Sequence, residues 1–351
     1  FEFISKEKIY EKETGKKFDK RSKFEIYKDL KKINNKIAVK VSPNNHINKY
    51  SIQPLSGIAN VETIYKNENG YYMIFNSDRY GFNNPDKYWD MKNIEYVMSG
   101  DSFAHGCCVN APNDIASVLR SLSGKLVLNL GYSGNGPLIQ YATLREYLKP
   151  NTKKVLWFYF EGNDLRDLKI ESESIILNNY LVDSSFTQNL KPKQTEINKL
   201  LRKIIKKREK NAALEEEKLK KKVFKEKILR FVKLFNIRQS IFPKQQQPEL
   251  PIENFKLIMN KTKELVDKNN SELYFIYLPE YSRYTNRKYD NKYYHEIKNI
   301  ITDLDINFVD IDREVFQKQK EPIKLFPFER VGHYNEKGYK NVGEVIYKFI
   351  K

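Results

Sequence analysis

Ser102, in the run Gly100-Asp101-Ser102-Phe103, and His333, in Gly332-His333-Tyr334-Asn335, are residue types that together can carry out acyl transfer. A serine hydroxyl is a poor nucleophile until a base takes its proton, and neutral imidazole is the commonest such base. The attacked carbonyl develops negative charge, which needs hydrogen-bond donors fixed in advance. Two further stretches offer them. Gly131-Tyr132-Ser133-Gly134-Asn135-Gly136 contains glycines that tolerate positive φ and close backbone approach. Glu161-Gly162-Asn163-Asp164 contains Asn163, whose side-chain amide is a donor. Singly, each feature has an ordinary structural explanation. Gly-Asp-Ser is a common turn, and a histidine before a helix is often a cap or a surface residue. The glycine run ends in neither the Gly-Lys-Ser/Thr of a phosphate loop nor the spacing of a dinucleotide fingerprint.

The elements around these stretches place them together. Short apolar runs at 94–98, 126–130, 155–160, 273–278 and 306–311 read as strands, and the near-continuous apolar character of 155–160 suits a strand covered on both faces. Helical stripes lie between them: Ile115, Val118, Leu119 and Leu122; a helix opening at Pro137; helices over 252–268 and 290–304; and a last helix over 336–350. Alternating strands and helices predict a parallel sheet sandwiched between helices, with chemistry just beyond the carboxyl ends of the strands. Ser102, Gly134 and Asn163 follow the first three strands, and His333 precedes the last helix.

In type and order, Gly-Asp-Ser, Gly, Asn-Asp and His resemble the four sequence blocks of the SGNH (GDSL-like) hydrolases, over roughly 94–170 and 270–351. Asn76-Ser77-Asp78-Arg79-Tyr80-Gly81-Phe82-Asn83 is similar to a lead-in of members linked to bacterial surface polysaccharides. The resemblance implies a three-layer α/β/α, flavodoxin-like fold with a parallel sheet of about five strands and no cofactor or metal. It implies Ser102 as nucleophile, His333 as base, and the Ser102 and Gly134 N–H groups with the Asn163 amide as oxyanion donors. Two departures stand out. Glu161 occupies a position usually held by glycine. Arg330 occupies the place, three residues before the histidine, where the family carries its orienting Asp. Glu329, Asp310, Asp312 or a backbone carbonyl are the candidates to replace it. Asp101 is read as a structural partner at the turn, His105 as a lining or capping residue, and Cys107 and Cys108 as packing residues under the first helix.

Residues 1–90 read as an N-terminal extension, helical over 1–35 and then strand-like at 37–41 and 71–75, with Asn69-Gly70 as a turn. Residues 91–351 form the hydrolase domain, interrupted by a helical insertion over 170–250 that is expected to cap the site. The net charge is +18, and residues 191–233 alone hold 17 Lys/Arg against 6 Glu. That segment is a solvated face or a contact for an anionic glycan or a membrane surface; no nucleic-acid motif accompanies it, and no nucleic-acid partner is expected. No apolar run is long enough to span a bilayer. The chain opens on Phe1, which leaves room for an anchor ahead of it, and the resemblance favours the bacterial envelope. Cys107 and Cys108, the only cysteines, are adjacent, and neighbouring cysteines rarely pair without strain. The expected activity is a serine esterase removing O-acyl groups, O-acetyl above all, from a carbohydrate or small ester. An O-acyltransferase with the same serine, or a silent carbohydrate-binding module, are the alternatives.

Overall fold

The computed structural model describes residues 5–226, 250–287 and 289–351. Its centre is a five-stranded sheet of β4 (Ile94–Ser99), β5 (Val127–Asn129), β6 (Thr152–Phe160), β7 (Glu272–Leu278) and β8 (Asn307–Asp310), all parallel, in the order β5-β4-β6-β7-β8. Alternation along β6 shows why the strand is apolar throughout. Val155, Trp157 and Tyr159 enter one core and Leu156 and Phe158 the other, and all five are buried. On the Leu156 side lie α3 (Ser102–His105), α4 (Ile115–Ser123) and α12 (Glu336–Ile350), with Leu119, Tyr339, Val342 and Ile346 turned inward. On the other side lie α5 (Pro137–Tyr147), α9 (Ile252–Lys268) and α11 (Tyr294–Asp303). This is the three-layer α/β/α arrangement that the resemblance implies.

The sheet order sets where a site can form. The chain runs from β4 outward to β5 and then crosses back to β6 on the other side of β4. At such a reversal the loops beyond the strand ends diverge and leave a crevice. Ser102 follows β4 and Asn163 follows β6, so the two flank that crevice.

The N-terminal extension is α1 (Lys6–Thr14), α2 (Lys23–Lys31) and a second sheet of β1 (Ala38–Val39), β2 (Glu62–Asn67) and β3 (Tyr72–Asn76) in sequence order. β1 pairs parallel with β2, and β2 pairs antiparallel with β3. β2 is an element that the sequence reading did not include. The extension shares a core with the main domain, because Ile64, Tyr65, Met73 and Phe75 join the same buried cluster as Leu128, Tyr132 and Trp157.

α6 (Asp164–Glu171) leads into the insertion, which contains α7 (Ile175–Val182) and α8 (Gln194–Glu226); α10 (Ser282–Thr285) is a single turn after β7. The first half of α8 docks on the extension. Ile197, Leu201, Ile204 and Ile205 form its buried stripe, Gln194 Nε2 donates to Gly57 O, and Asn198 Oδ1 accepts from Ala59 N–H. Residues 227–249 of the expected insertion lie outside the described residues. No helix among the described residues is long and apolar enough to cross a membrane.

Candidate active site

Ser102 is positioned by the tight turn from β4 into α3. A Cβ on Gly100 would lie 2.7 Å from Ala104 Cβ and 2.8 Å from Phe158 Cβ, so only glycine lets the strand turn here. Asp101 caps α3 by accepting from Phe103 N–H at 2.8 Å. This matches the structural role expected of it. Its carboxyl is pushed up, by burial above all. Ser102 Oγ is 2.8 Å from His333 Nε2 and 3.1 Å from Asp101 Oδ2.

His333 is held by the residues after it. Tyr334 is fully buried and donates its hydroxyl to Pro279 O at the end of β7, and Asn335 caps α12 by accepting from Gly338 N–H. The imidazole packs on Phe103, with ring centroids 4.6 Å apart. Its Nδ1 is 3.0 Å from Glu68 Oε2, and the same carboxylate oxygen accepts from the His333 backbone N–H at 2.8 Å. With Nδ1 facing a carboxylate, the proton belongs on Nδ1 and Nε2 is left to accept from Ser102. Burial works to raise the Glu68 carboxyl, but His333 and then Lys66 hold it well below the usual range, so Glu68 is an anion.

The orienting acid therefore does not come from the sequence around the histidine. Glu329 is exposed, and its backbone carbonyl accepts from Tyr281 Oη. Asp310 accepts from Tyr294 Oη and Arg313 N–H, and Asp312 binds Tyr284, Gln317 and Arg283. Asp310 and Asp312 are thus engaged away from the imidazole. Glu68 sits instead in the turn between β2 and β3, which is tied down by Asn69 Nδ2 to Cys108 O at 3.0 Å and Tyr71 Oη to Glu336 Oε1 at 2.8 Å. The sequence reading missed Glu68 because nothing local marks it. The one available signal was the Asn69-Gly70 turn, which implies a strand before it as well as after it.

Gly134 has φ +83°, and a Cβ there would lie 2.8 Å from Asn44 Oδ1 and 2.9 Å from Ser42 Cβ. Its N–H has no acceptor among the described residues, leaving a donor unspent. Asn163 donates its amide to Asp167 Oδ2 at 2.8 Å, while its Oδ1 is buried without a partner. Burial, followed by the neighbouring charge of Asp101, pushes Asp167 up to about 6. Glu161 forms an ion pair with Arg283 and accepts from Tyr277 Oη and Glu280 N–H, a use that explains its place where glycine was expected.

Two smaller expectations are revised. His105 does not cap or line the site. It is fully buried in an aromatic box of Tyr65, Phe75 and Tyr132, with neither ring nitrogen bonded, and burial lowers it to about 3. Cys107 and Cys108 are buried packing residues, but they pack in the core shared with the extension rather than under α3, and they are joined to each other as a vicinal disulfide. Their sulfurs, Glu68 and His333 all lie within 4.8 Å of one another. With the sulfurs bonded to each other they are not thiolate ligands, and this cluster does not fit a metal centre.

No family model and no curated protein matches the sequence. Solved structures similar to it include a protein of the G-D-S-L family from Desulfitobacterium hafniense DCB-2, with 15% identity, 73% of this chain and 99% of that chain covered, and TM-score 0.42. The acetyl xylan esterase AlAXEase gives 11% identity, 74% and 100% coverage, and TM-score 0.41. A carbohydrate esterase family 2 enzyme with a carbohydrate-binding domain from Corynascus thermopiles gives 12% identity, 74% and 66% coverage, and TM-score 0.38.

Proposed function

We propose that the protein is a serine ester hydrolase that removes O-acyl groups, O-acetyl in particular, from a carbohydrate, with Ser102 as nucleophile, His333 as base and Glu68 as the acid that orients it. The observation that carries this reading is the continuous relay of Ser102 Oγ to His333 Nε2 at 2.8 Å and His333 Nδ1 to Glu68 Oε2 at 3.0 Å. In it, Ser102 Oγ attacks the ester carbonyl as its proton passes to Nε2, and the imidazolium so formed is stabilised by Glu68. The Gly134 N–H, which has no acceptor among the described residues, is assigned with the Ser102 N–H to the oxyanion, and such a donor supplies about 3–4 kcal/mol. His333 then protonates the departing alcohol. Water, activated by the same imidazole, releases the acyl group from Ser102.

Asn163 enters this scheme as a donor whose amide must be shared with Asp167. An intact relay favours a hydrolase over the silent binding module, since the acid whose absence near His333 suggested decay is supplied by the N-terminal extension. Placement in the bacterial envelope belongs to the same proposal and rests on the sequence resemblance.

The test is hydrolysis of p-nitrophenyl acetate by the wild type and by Ser102→Ala, with both treated with an active-site serine phosphonate. Ser102-dependent turnover and an adduct on Ser102 are expected. Folded protein with neither would overturn the reading.

A further inference from the structure

A cleft of about 450 Å³ opens beside Asn163. Its walls come from three places: Gly162 and Asn163 after β6, Glu280 after β7, and Tyr289, Asn291 and Tyr293 ahead of the main run of α11. The volume lies in the range of small-molecule sites, about 300–1,000 Å³. β4, β6 and β7 are successive neighbours in the sheet, and Ser102, Asn163 and Glu280 follow them in that order. The ends of β4 and β7 are therefore two strand spacings apart, about 10 Å, a span that a sugar carrying an acyl ester can cross. The base is tied to the same wall. Tyr334, next after His333, donates to the carbonyl of Pro279, next before Glu280, at 2.7 Å.

Glu161, which stands where the sequence blocks carry glycine, builds this cleft. Its Oε1 accepts from Glu280 N–H at 2.8 Å and Arg283 Nε at 3.0 Å; its Oε2 accepts from Tyr277 Oη at 2.7 Å and from Asn291 Nδ2. One buried carboxylate thus holds the loop after β7 and the stretch ahead of α11 against the loop after β6. A brace alone would explain that network. It leaves unexplained the open, polar-lined space beside it, because interiors that serve only stability are close-packed. The lining suits hydroxyls. Glu280 and Asp290 offer acceptors, and Arg166 and Lys292 offer donors. Among the described residues those two cations offset the two acids, and Arg283 offsets Glu161, so the cleft has no net charge with which to select an ion. Tyr289 and Tyr293 are half-buried, with Arg283 5.4 Å from the first ring centroid and Lys292 4.6 Å from the second. Such rings present an apolar body and a polar tip, as a sugar presents C–H faces and hydroxyl edges.

We propose that this cleft is a subsite for an uncharged sugar ring of the substrate, with Glu280 and Asp290 accepting from its hydroxyls and Tyr289 and Tyr293 packing against its C–H faces. This rests on the reading of Ser102 as an acyl-transfer nucleophile and narrows its substrates to esters carried on neutral sugars.

The test is binding of fluorescently labelled Ser102→Ala, in which no turnover is needed, to an array of neutral oligosaccharides of glucose, galactose, mannose and xylose, with uronate-containing and free-amino-sugar oligosaccharides beside them. Neutral members are expected to bind and the charged ones to bind more weakly. Affinity for the bound members is expected to fall at least about tenfold when Tyr289→Ala and Glu280→Ala are added together, and to be largely kept in Tyr289→Phe, where the ring remains. Thermal unfolding shows whether the double variant is folded; if it is not, Glu280→Ala alone takes its place. Binding by no neutral member, equal or tighter binding of uronates or amino sugars, or unchanged affinity in the folded variant would each overturn the proposal. The esterase reading fails separately, through absent p-nitrophenyl acetate turnover by the wild type, and that failure would leave the array result standing.

Discussion

Glu68 and His333 are 265 positions apart in sequence, yet one carboxylate oxygen of Glu68 accepts from both the ring Nδ1 and the backbone N–H of His333. That double contact fixes the imidazole's rotation and the path of the chain that carries it. Under the proposed function it also divides the labour of the site: the sheet domain would supply nucleophile and base, and the extension the acid.

Glu68→Gln is expected to preserve the fold while lowering kcat by roughly 10³–10⁴, because an amide cannot enforce the Nδ1 tautomer or stabilise the imidazolium as a carboxylate does. Glu329→Gln is expected to leave kcat within about twofold, since its exposed carboxylate is not the one that meets the imidazole and a typical exposed charge contributes little. Steady-state kinetics on p-nitrophenyl acetate separates the two acids. Equal losses in both would return Glu329 to consideration.

Gly134→Ala is expected to reduce kcat by roughly 10²-fold with a smaller change in KM, the pattern of a lost oxyanion donor. The added methyl meets Asn44 and Ser42 at under 3 Å, and the backbone at φ +83° resists a side chain, so the loop must shift and carry its N–H with it. A variant with unaltered kcat would remove Gly134 from the site.

Asp312→Ala is expected to cost stability rather than catalysis. Asp312 is buried and accepts from Tyr284 Oη at 2.6 Å and Gln317 Nε2 at 2.8 Å, with Arg283 at 3.3 Å. Removing it strands those donors, at about 2–4 kcal/mol. Denaturant unfolding should show the loss, while kcat per folded molecule stays near wild type.

Glu171 gives a pH-dependent expectation. Its carboxyl accepts from the N–H groups of Gly136, Leu138 and Ile139 at the start of α5. Burial, and then the charge of Asp167, nevertheless pushes it up to about 8. A carboxyl raised in the folded state contributes stability that is present below its ordinary value of 4.5 and lost as the pH rises through about 8. The stability deficit of Glu171→Gln relative to wild type should therefore shrink between pH 5 and pH 8, as read by thermal unfolding at each pH. A deficit that grows with pH would contradict this.

What the sequence disclosed follows from how each element is buried. β4, β6 and β7 are covered on both faces and so read as apolar runs, and α12 carries a clean stripe of Tyr339, Val342 and Ile346. Ser102 and His333 are legible because strand–turn–helix geometry requires small, recognisable residues around them. β2 was missed because Glu62 and Lys66 break up its apolar run, its inward residues being Thr63, Ile64 and Tyr65. Glu68 was missed because a triad acid is chosen by space and not by order along the chain. The bonding of Asn163 to Asp167 was equally hidden, since it depends on how the start of α6 packs.

The hairpin from β2 to β3 gives the protein an unusual kind of indivisibility. A fragment beginning at residue 91 would keep every strand of the parallel sheet, with Ser102 and His333, and would still lack the carboxylate that meets the His333 ring. Where the carboxylate resides on one module and the histidine on another, the proposed function implies that anything loosening their seam would throttle turnover. For this chain, a boundary drawn for structural convenience separates Glu68 from the histidine it holds.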